Sequence, residues 1–353
     1  MTTNITKYSD AISETISIAM AEDDKVLCFG LGVTDPKEVF GTTQGLLQKF
    51  GPKRVFDTPC SENAMTGIGI GASMRSFKPI MTHQRLDFFL LAMDQLVNSA
   101  AKWHFMFGSQ VSIPITIRLI LGRGWGQGPT HAQNLQAWFA HIPGLKVVCP
   151  SNSADAKGLL MASIFDPNPV VFLEHRWLHN STSEVPSGYY ELPLGKANVV
   201  VNGTDLTIVT SSYMVSECLD AATYLQKEHN ISCEVIDLRT IKPLDYETIF
   251  KSLEKTENIL CVETSAGSFS VSSEIISRVM EEEHAQKKYK AGKISLPDMP
   301  EPTGYSLTKN YYNNADDVIN KVLSMTNNYE ITKPIIRHSL HHDIPGDWFK
   351  GPF

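Results

Sequence analysis

The sequence predicts an α/β protein of two domains, each a mainly parallel sheet flanked by helices. Three observations carry that expectation. The chain has 353 residues, more than one hydrophobic core usually organises. Short β-branched runs alternate with longer stretches of helical spacing, the pattern of parallel sheets covered on both faces. Near the middle, the apolar periodicity lapses into NSTSEVPSGYYELPLG, whose Ser, Pro and Gly content suits a surface connection.

The elements follow in order. In the first half, Val26–Phe29, Ile113–Arg118, Lys146–Cys149 and Val170–Leu173 read as buried strands. Tyr8–Ala21, Glu62–Met74, Phe88–Lys102 and Asp155–Ile164 carry helical spacing between them. In the second half, strands are expected at Leu206–Thr210, Cys233–Asp237 and Ile259–Val262. Helices are expected at Ser216–Lys227, Tyr246–Lys255 and Val271–Glu282. The expected division is a first domain over 1–180, a linker over 181–196, a second domain over 197–325 and a polar, Pro-punctuated tail over 326–353.

Composition excludes several classes. With 42% hydrophobic and 20% charged residues, the chain can bury sizeable cores and is not mainly disordered. Thirty-one basic against 38 acidic residues give −7, the wrong balance for nucleic acid as main partner. No apolar run approaches the ~20 residues of a membrane span. MTTNITKYSD lacks the basic and apolar regions of a secretory signal, so a cytoplasmic protein with no membrane partner is expected. The six cysteines form no Cys-x-x-Cys pair and read as reduced thiols, several of them as small buried hydrophobes.

Most catalytic motifs are missing. Gly67-Ile-Gly69-Ile-Gly71-Ala72 approaches dinucleotide-binding spacing but lies within a helical pattern, where glycines instead allow close packing. Gly122-Arg-Gly124-Trp-Gly126-Gln-Gly128 fails on spacing, and no phosphate-binding Gly-x-x-x-x-Gly-Lys-Ser/Thr loop or Gly-x-Ser-x-Gly elbow occurs. His338, His341, His342 and Asp343 cluster in the tail, where a solvated or partner-docking segment is expected rather than a metal site. His83, His104, His141, His175 and His179 read as packing or hydrogen-bonding residues. Two places remain. Asp57-Thr-Pro-Cys-Ser61-Glu62 sets an acid at the start of a helix that Ser61 could cap. Gly128-Pro-Thr-His131-Ala-Gln133 follows a strand and a glycine-rich loop, where α/β proteins present side chains to ligands.

These segments, RVFDTPCSENAMTGIGIGASM with AMDQLVNSAAKWHFMFG, HAQNLQAWFAHIPGLKVVCPSNSADAKGLL and DPNPVVFLE, resemble the β subunits of the thiamine-diphosphate-dependent 2-oxo acid dehydrogenases. These are the decarboxylating components of the pyruvate and branched-chain complexes. GTDLTIVTSSYMVSECLDAA and CEVIDLRTIKPLDYETI resemble the transketolase-type C-terminal domain of that family. The resemblance covers about residues 5–325. It implies a pyrimidine-binding first domain and an enzyme that decarboxylates a 2-oxo acid and passes the activated fragment to an acceptor, by default a lipoyl group. Glu62 matches the glutamate that hydrogen-bonds the cofactor's aminopyrimidine and so drives proton removal from the thiazolium carbon. Phe88 matches the aromatic packed on that ring, and Gln84 and Cys60 fall among the cofactor-binding positions. His131 matches the active-site histidine, with Gln133 in an orienting or a structural role. Ile115, Ser163, Ile164, Asp166 and Asn168 align with potassium ligands, largely through backbone oxygens.

Departures from the family stand beside these matches. Thr82-His83-Gln84-Arg85-Leu86-Asp87 replaces a stretch that often carries an acid followed by apolar residues; Arg85 could meet an anionic group of a substrate or pair with Asp87. Glu263-Thr-Ser-Ala-Gly-Ser and the tail are unusual too, and both bear on docking to an acyltransferase core. No Gly-Asp-Gly motif for magnesium occurs. In the family that half of the site belongs to an α subunit, which implies an α2β2 assembly with a β2 contact and magnesium held mainly by the partner. A split transketolase-like carbon–carbon transferase and a non-catalytic partner-binding scaffold are the alternative readings.

Overall fold

The computed structural model describes residues 2–123, 126–281, 289–326 and 344. In chain order its strands are β1 (Thr3–Lys7), β2 (Val26–Gly30), β3 (Val55–Asp57), β4 (Lys78–His83), β5 (Thr116–Leu121), β6 (Lys146–Val148) and β7 (Val170–His175). They continue with β8 (Thr182–Pro186), β9 (Asn198–Val201), β10 (Leu206–Thr210), β11 (Cys233–Asp237), β12 (Thr240–Lys242), β13 (Asn258–Ala266) and β14 (Lys290–Leu296).

A seven-stranded sheet runs β12-β6-β7-β5-β4-β2-β3, parallel throughout except for β12, which joins β6 antiparallel. A five-stranded sheet runs β14-β13-β10-β11-β9, parallel apart from the β9 edge. Central strands are apolar on both faces because helices cover both. Along β5, Ile117, Leu119 and Leu121 enter one core with Leu96 and Phe139, while Ile120 enters the other with Ile12, Ile16 and Leu160. The helices Tyr8–Glu22 and Ser153–Phe165 pack together beneath that second core.

Where structure and expectation part, backbone chemistry gives the reason. The strand expected at Ile113–Arg118 begins at Thr116, since Pro114 has no N–H to contribute to pairing. Phe88–Lys102 is not one regular helix: an α turn Leu86–Phe89 passes through a 3₁₀ turn, Leu90–Ala92, and a π turn, Gln95–Ala100, into Ala101–Met106. Residues 181–196, read as a surface connection, contain β8, which pairs antiparallel with β1 from Thr3↔Pro186 to Lys7↔Thr182. The strands β10 and β11 fall where expected, as do the helix starting at Tyr8 and the one starting at Glu62. Five cysteines are buried and Cys60 is exposed. The histidines 338, 341 and 342, with Asp343, lie outside the described residues. No described helix is long and apolar enough to cross a membrane.

Candidate active site

The C-terminal ends of the parallel strands form one edge of the first sheet, and three of its loops carry residues that the sequence singles out. From β3, the turn Thr58–Ser61 leads into the helix Glu62–Ser73. Val33 and Thr34 donate backbone N–H groups to the Asp57 carboxylate at 2.7 and 3.1 Å, which fixes the strand end. Ser61 holds the N-cap position, but its hydroxyl makes no capping bond; its carbonyl takes the N–H of Met65 at 2.9 Å. The helix packs closely through glycine, as its Gly-rich pattern suggested. A Cβ on Gly69 would stand 2.9 Å from Ile115 Cδ1 and 3.3 Å from the Phe29 ring. Glu62 is half-buried in the first turn, where the helix dipole favours a negative charge. Its carboxylate has no hydrogen-bond or ion-pair partner among the described residues.

From β4, the chain turns through Gln84 and Arg85 into Leu86–Phe89. Phe88 keeps 39% of its surface exposed, whereas its neighbour Phe89 is fully buried. One edge of the Phe88 ring meets His131, with centroids 5.4 Å apart and planes at 87°. His131 comes from the loop after β5. Its Nδ1 lies 3.1 Å from Thr130 Oγ1, and its N–H donates to Gly128 O at 3.3 Å. Gln133 donates to Asp87 Oδ1 through Nε2 at 2.8 Å and through its backbone N–H at 3.4 Å. The structure thus brings Phe88, His131 and Gln133 together and puts Glu62 on the same strand edge. Asp87 is the member that sequence reading missed; its position directly before Phe88 was the available signal.

The remaining expected residues sit apart from that contact. Gln84 spends its amide on Asp35 Oδ2 at 3.2 Å, against the loop that follows β2. Cys60 is exposed in the turn before Glu62. Ser163 O accepts from Thr116 Oγ1 at 3.0 Å, Ile115 O accepts from Val170 N–H at 3.0 Å, and Asn168 N–H caps Asp166 Oδ1 at 2.9 Å. Lys146 neutralises Asp166. The potassium-aligned segments therefore meet beside the start of β5, where the carbonyls of Ser163 and Ile115 already accept hydrogen bonds.

Beneath the edge, Arg118 on β5 and Glu174 on β7 form a fully buried fork, with Nε–Oε1 at 2.6 Å and Nη2–Oε2 at 3.0 Å. Arg118 also donates to Thr82 Oγ1 at 3.3 Å. Arg118 holds the Glu174 carboxyl below its ordinary range against the opposing effect of burial. His83, against Phe89 with centroids 4.9 Å apart, is pushed down to about 3 by burial and stays neutral. Above the edge, Arg123 crosses to the second sheet's helices. Its guanidinium lies 4.4 Å from the rings of both Trp177 and Tyr312 and donates to Asn313 O at 3.1 Å. Beside it, Glu301 accepts from the Tyr312 hydroxyl at 3.0 Å, and burial pushes its carboxyl up to about 8.

Comparison with known proteins agrees with this architecture. Residues 6–181 match the transketolase pyrimidine-binding domain, and residues 195–318 match the transketolase C-terminal domain. The pyruvate dehydrogenase E1 component subunit beta of Rickettsia conorii is 41% identical over 313 residues, covering 89% of this chain and 96% of that protein. The mitochondrial counterpart from Pisum sativum is 38% identical over 314 residues, covering 88% of this chain and 87% of that protein. Among solved structures, a split-gene transketolase in an inactive β4 tetramer superposes with a TM-score of 0.72 at 21% identity, over 90% of this chain and 98% of that one. A transketolase from Pichia stipitis gives 0.64 at 17% identity, over 91% of this chain and 47% of that one. The structural likenesses establish the transketolase-type fold, and the sequence relatives establish more: this chain belongs to the β subunits of the thiamine-diphosphate-dependent 2-oxo acid dehydrogenases, the enzymes that decarboxylate a 2-oxo acid and hand on the activated fragment.

Proposed function

We propose that the chain acts with an α-type partner on pyruvate or a similar 2-oxo acid, and that Glu62, Phe88 and His131 are its share of the active site. The observation that carries this reading is the exposed Phe88 ring set edge-on to His131, at the strand edge where Glu62 keeps a carboxylate with no partner among the described residues. A free carboxylate near an uncovered aromatic face suits an aminopyrimidine, which needs an acceptor for a ring N–H and an apolar wall. The residues present fit that half of thiamine diphosphate. When bound, the cofactor would supply a carbon that, once deprotonated, is the nucleophile for the 2-oxo carbon, and an electron sink for the pair freed with carbon dioxide.

The chain's own groups do the rest. Glu62 would accept and return the proton at the aminopyrimidine nitrogen, and Phe88 would fix the ring plane while excluding water on one side. Thr130 engages Nδ1 of His131, which leaves Nε2 as the atom that holds or releases a proton toward the substrate. Asp87 and Gln133 hold the two loops at one spacing. Gln84 and Cys60 border the cofactor rather than grip it. Potassium would sit by the Ser163–Asn168 loop and stiffen the start of β5.

Magnesium and the diphosphate would be held by the partner, in an α2β2 assembly with a β2 contact. Ile68, Leu91, Phe105 and Met106 are 64–86% exposed on the helices around the site, an apolar face suited to subunit contact. The activated fragment would pass to a lipoyl-bearing acyltransferase. Residues 1–180 and 197–325 would act as the cofactor-activating and the C-terminal domain.

Native mass spectrometry of the chain co-expressed with its α-type partner, with thiamine diphosphate and magnesium present, tests the assembly. The expected species is a heterotetramer with two cofactors that releases carbon dioxide from a 2-oxo acid. Ketol exchange without carbon dioxide would favour the transketolase-like reading. A cofactor-free homodimer that retains no partner would favour the scaffold.

A further inference from the structure

The segment 297–304 leaves β14 of the second sheet and reaches the loop of the first that carries His131. Its sequence, Pro-Asp-Met-Pro-Glu-Pro-Thr-Gly, holds three prolines, each of which fixes φ and limits the shapes the strap can take. Tyr311 anchors it from behind, donating to Met299 O at 2.9 Å. Where Thr303 arrives, the loop offers glycine. A Cβ on Gly128 would collide with Thr303 Oγ1, and one on Gly126 would stand 3.4 Å from Thr303 O. Both glycines also have positive φ, 65° at Gly126 and 68° at Gly128, which other residues adopt reluctantly. Gly128 O then takes the N–H of His131 at 3.3 Å, so the seat of Thr303 is passed on to the histidine.

The chain just past His131 is held from the same direction. Asn134 is buried, and its Nδ2 donates to Ala132 O at 2.9 Å, which closes the backbone next to the histidine. Its Oδ1 accepts from Thr264 Oγ1 of β13 at 2.9 Å. Glu301 is equally buried, adjoins Asn134 and accepts from the Tyr312 hydroxyl. Burial keeps its carboxyl protonated at neutral pH; the charge of Asp87 adds to that rise, while Tyr312 and Arg123 oppose it. Glu301 thus lies within electrostatic reach of the carboxylate that takes the Gln133 amide. Two residues of one strap bracket His131, Thr303 before it and Glu301 after it.

We propose that this strap from the second half of the chain is a positioning element for the reaction, with Thr303 and Glu301 fixing the loop on either side of His131. The consequence for turnover rests on the role proposed above for His131; the hold on the loop does not. No atom of the strap has to touch substrate. Its effect belongs in kcat rather than in binding, because it sets where the imidazole stands.

The test uses the α/β assembly with thiamine diphosphate and magnesium bound. Glu301→Ala strands the Tyr312 hydroxyl and should lower kcat on a 2-oxo acid about tenfold, with KM and cofactor occupancy within about twofold of wild type. Glu301→Gln, the neutral isostere, should restore most of the loss at pH 7. Gly128→Ala should lower kcat by about tenfold or more. Adding Thr303→Ala removes the atom it strikes and should recover about threefold of that, leaving the cost of the positive φ.

Full kcat in both Glu301→Ala and Gly128→Ala overturns the proposal. So does a loss in Gly128→Ala that Thr303→Ala leaves untouched, or a loss in Glu301→Ala matched by an equal loss of bound cofactor. If His131→Ala keeps full turnover, the catalytic reading of His131 has failed instead. Hydrogen exchange over residues 126–134 of the same assembly then decides the hold by itself: it should quicken severalfold in Glu301→Ala and return in Glu301→Gln, and unchanged exchange overturns the strap.

Discussion

Asp87 and Gln133 join across the active-site edge: Nε2 of Gln133 donates to Oδ1 of Asp87 at 2.8 Å, tying the turn that presents Phe88 to the loop that presents His131. Neither residue needs to touch substrate for this bond to matter, since it sets the spacing of Phe88 and His131, the two proposed to do so. Gln133→Leu should lower kcat about tenfold with little change in the quantity of cofactor bound, while Gln133→Glu, which sets two carboxylates face to face, should do worse. Steady-state kinetics with cofactor occupancy read by native mass spectrometry would check this; equal kcat in all three proteins would remove Gln133 from the positioning role.

Glu62→Gln keeps the shape of the side chain and its first-turn position but abolishes the proton acceptor. Turnover of the assembled enzyme should fall by about 10²-fold or more, with an unchanged heterotetramer and a Tm within a few degrees. Full activity in the variant would end the catalytic reading of this residue.

Gly69→Ala introduces a methyl group 2.9 Å from Ile115 Cδ1 and 3.3 Å from the Phe29 ring. The cost should be about 1–3 kcal/mol, seen in chemical denaturation. Because the displaced helix begins with Glu62, activity should fall along with stability. Gly71→Ala, with open space around its Cβ, provides the matched control.

Breaking the Arg118–Glu174 fork leaves a charge stranded in a dry interior. Arg118→Met or Glu174→Leu alone should each cost about 3–5 kcal/mol, and the double variant should recover much of the loss. Additive losses in a denaturation cycle would show that the two groups do not act as a pair.

The buried carboxyl of Glu301 should make stability depend on pH. Its folded pKa, about 8, lies above the unfolded value near 4.5, so the folded state holds the proton more tightly. That contribution is fully present below about pH 4.5 and is lost as pH rises through 8. Asp237, raised to about 7 by burial and by Asp155, acts in the same direction. The Tm of the wild type should therefore fall between about pH 5 and 8 more steeply than that of Glu301→Gln. Parallel curves would show that Glu301 is ionised throughout.

Sequence patterning reveals elements whose cause is local. Leu206–Thr210 is a continuous apolar or β-branched run, Cys233–Asp237 sets Val235 and Ile236 between Glu234 and Asp237, and both fold with the expected bounds. Strands whose formation depends on distant partners leave no such trace. β1 and β8 pair across most of the first half, and β12 is three residues long. β4 is obscured because Lys-Pro-Ile-Met-Thr-His includes a proline and a single β-branched apolar residue. The site follows the same rule. Glu62 and His131, two of the proposed site residues, stand in long family motifs, with Phe88 just before another, although spacing alone left all three indistinct. Asp87 gains its role only by meeting a residue 46 positions away.

β12 has a consequence for how such a chain can be divided. Thr240–Lys242 comes from the second half of the sequence yet completes the first sheet beside β6, and Lys242 Nζ reaches back to Ala140 O at 2.6 Å. The halves are therefore not interchangeable cassettes. A first half expressed alone would expose the bare flank of β6 to any passing strand, and a recombinant that swaps the second half would have to bring a matching three-residue border with it.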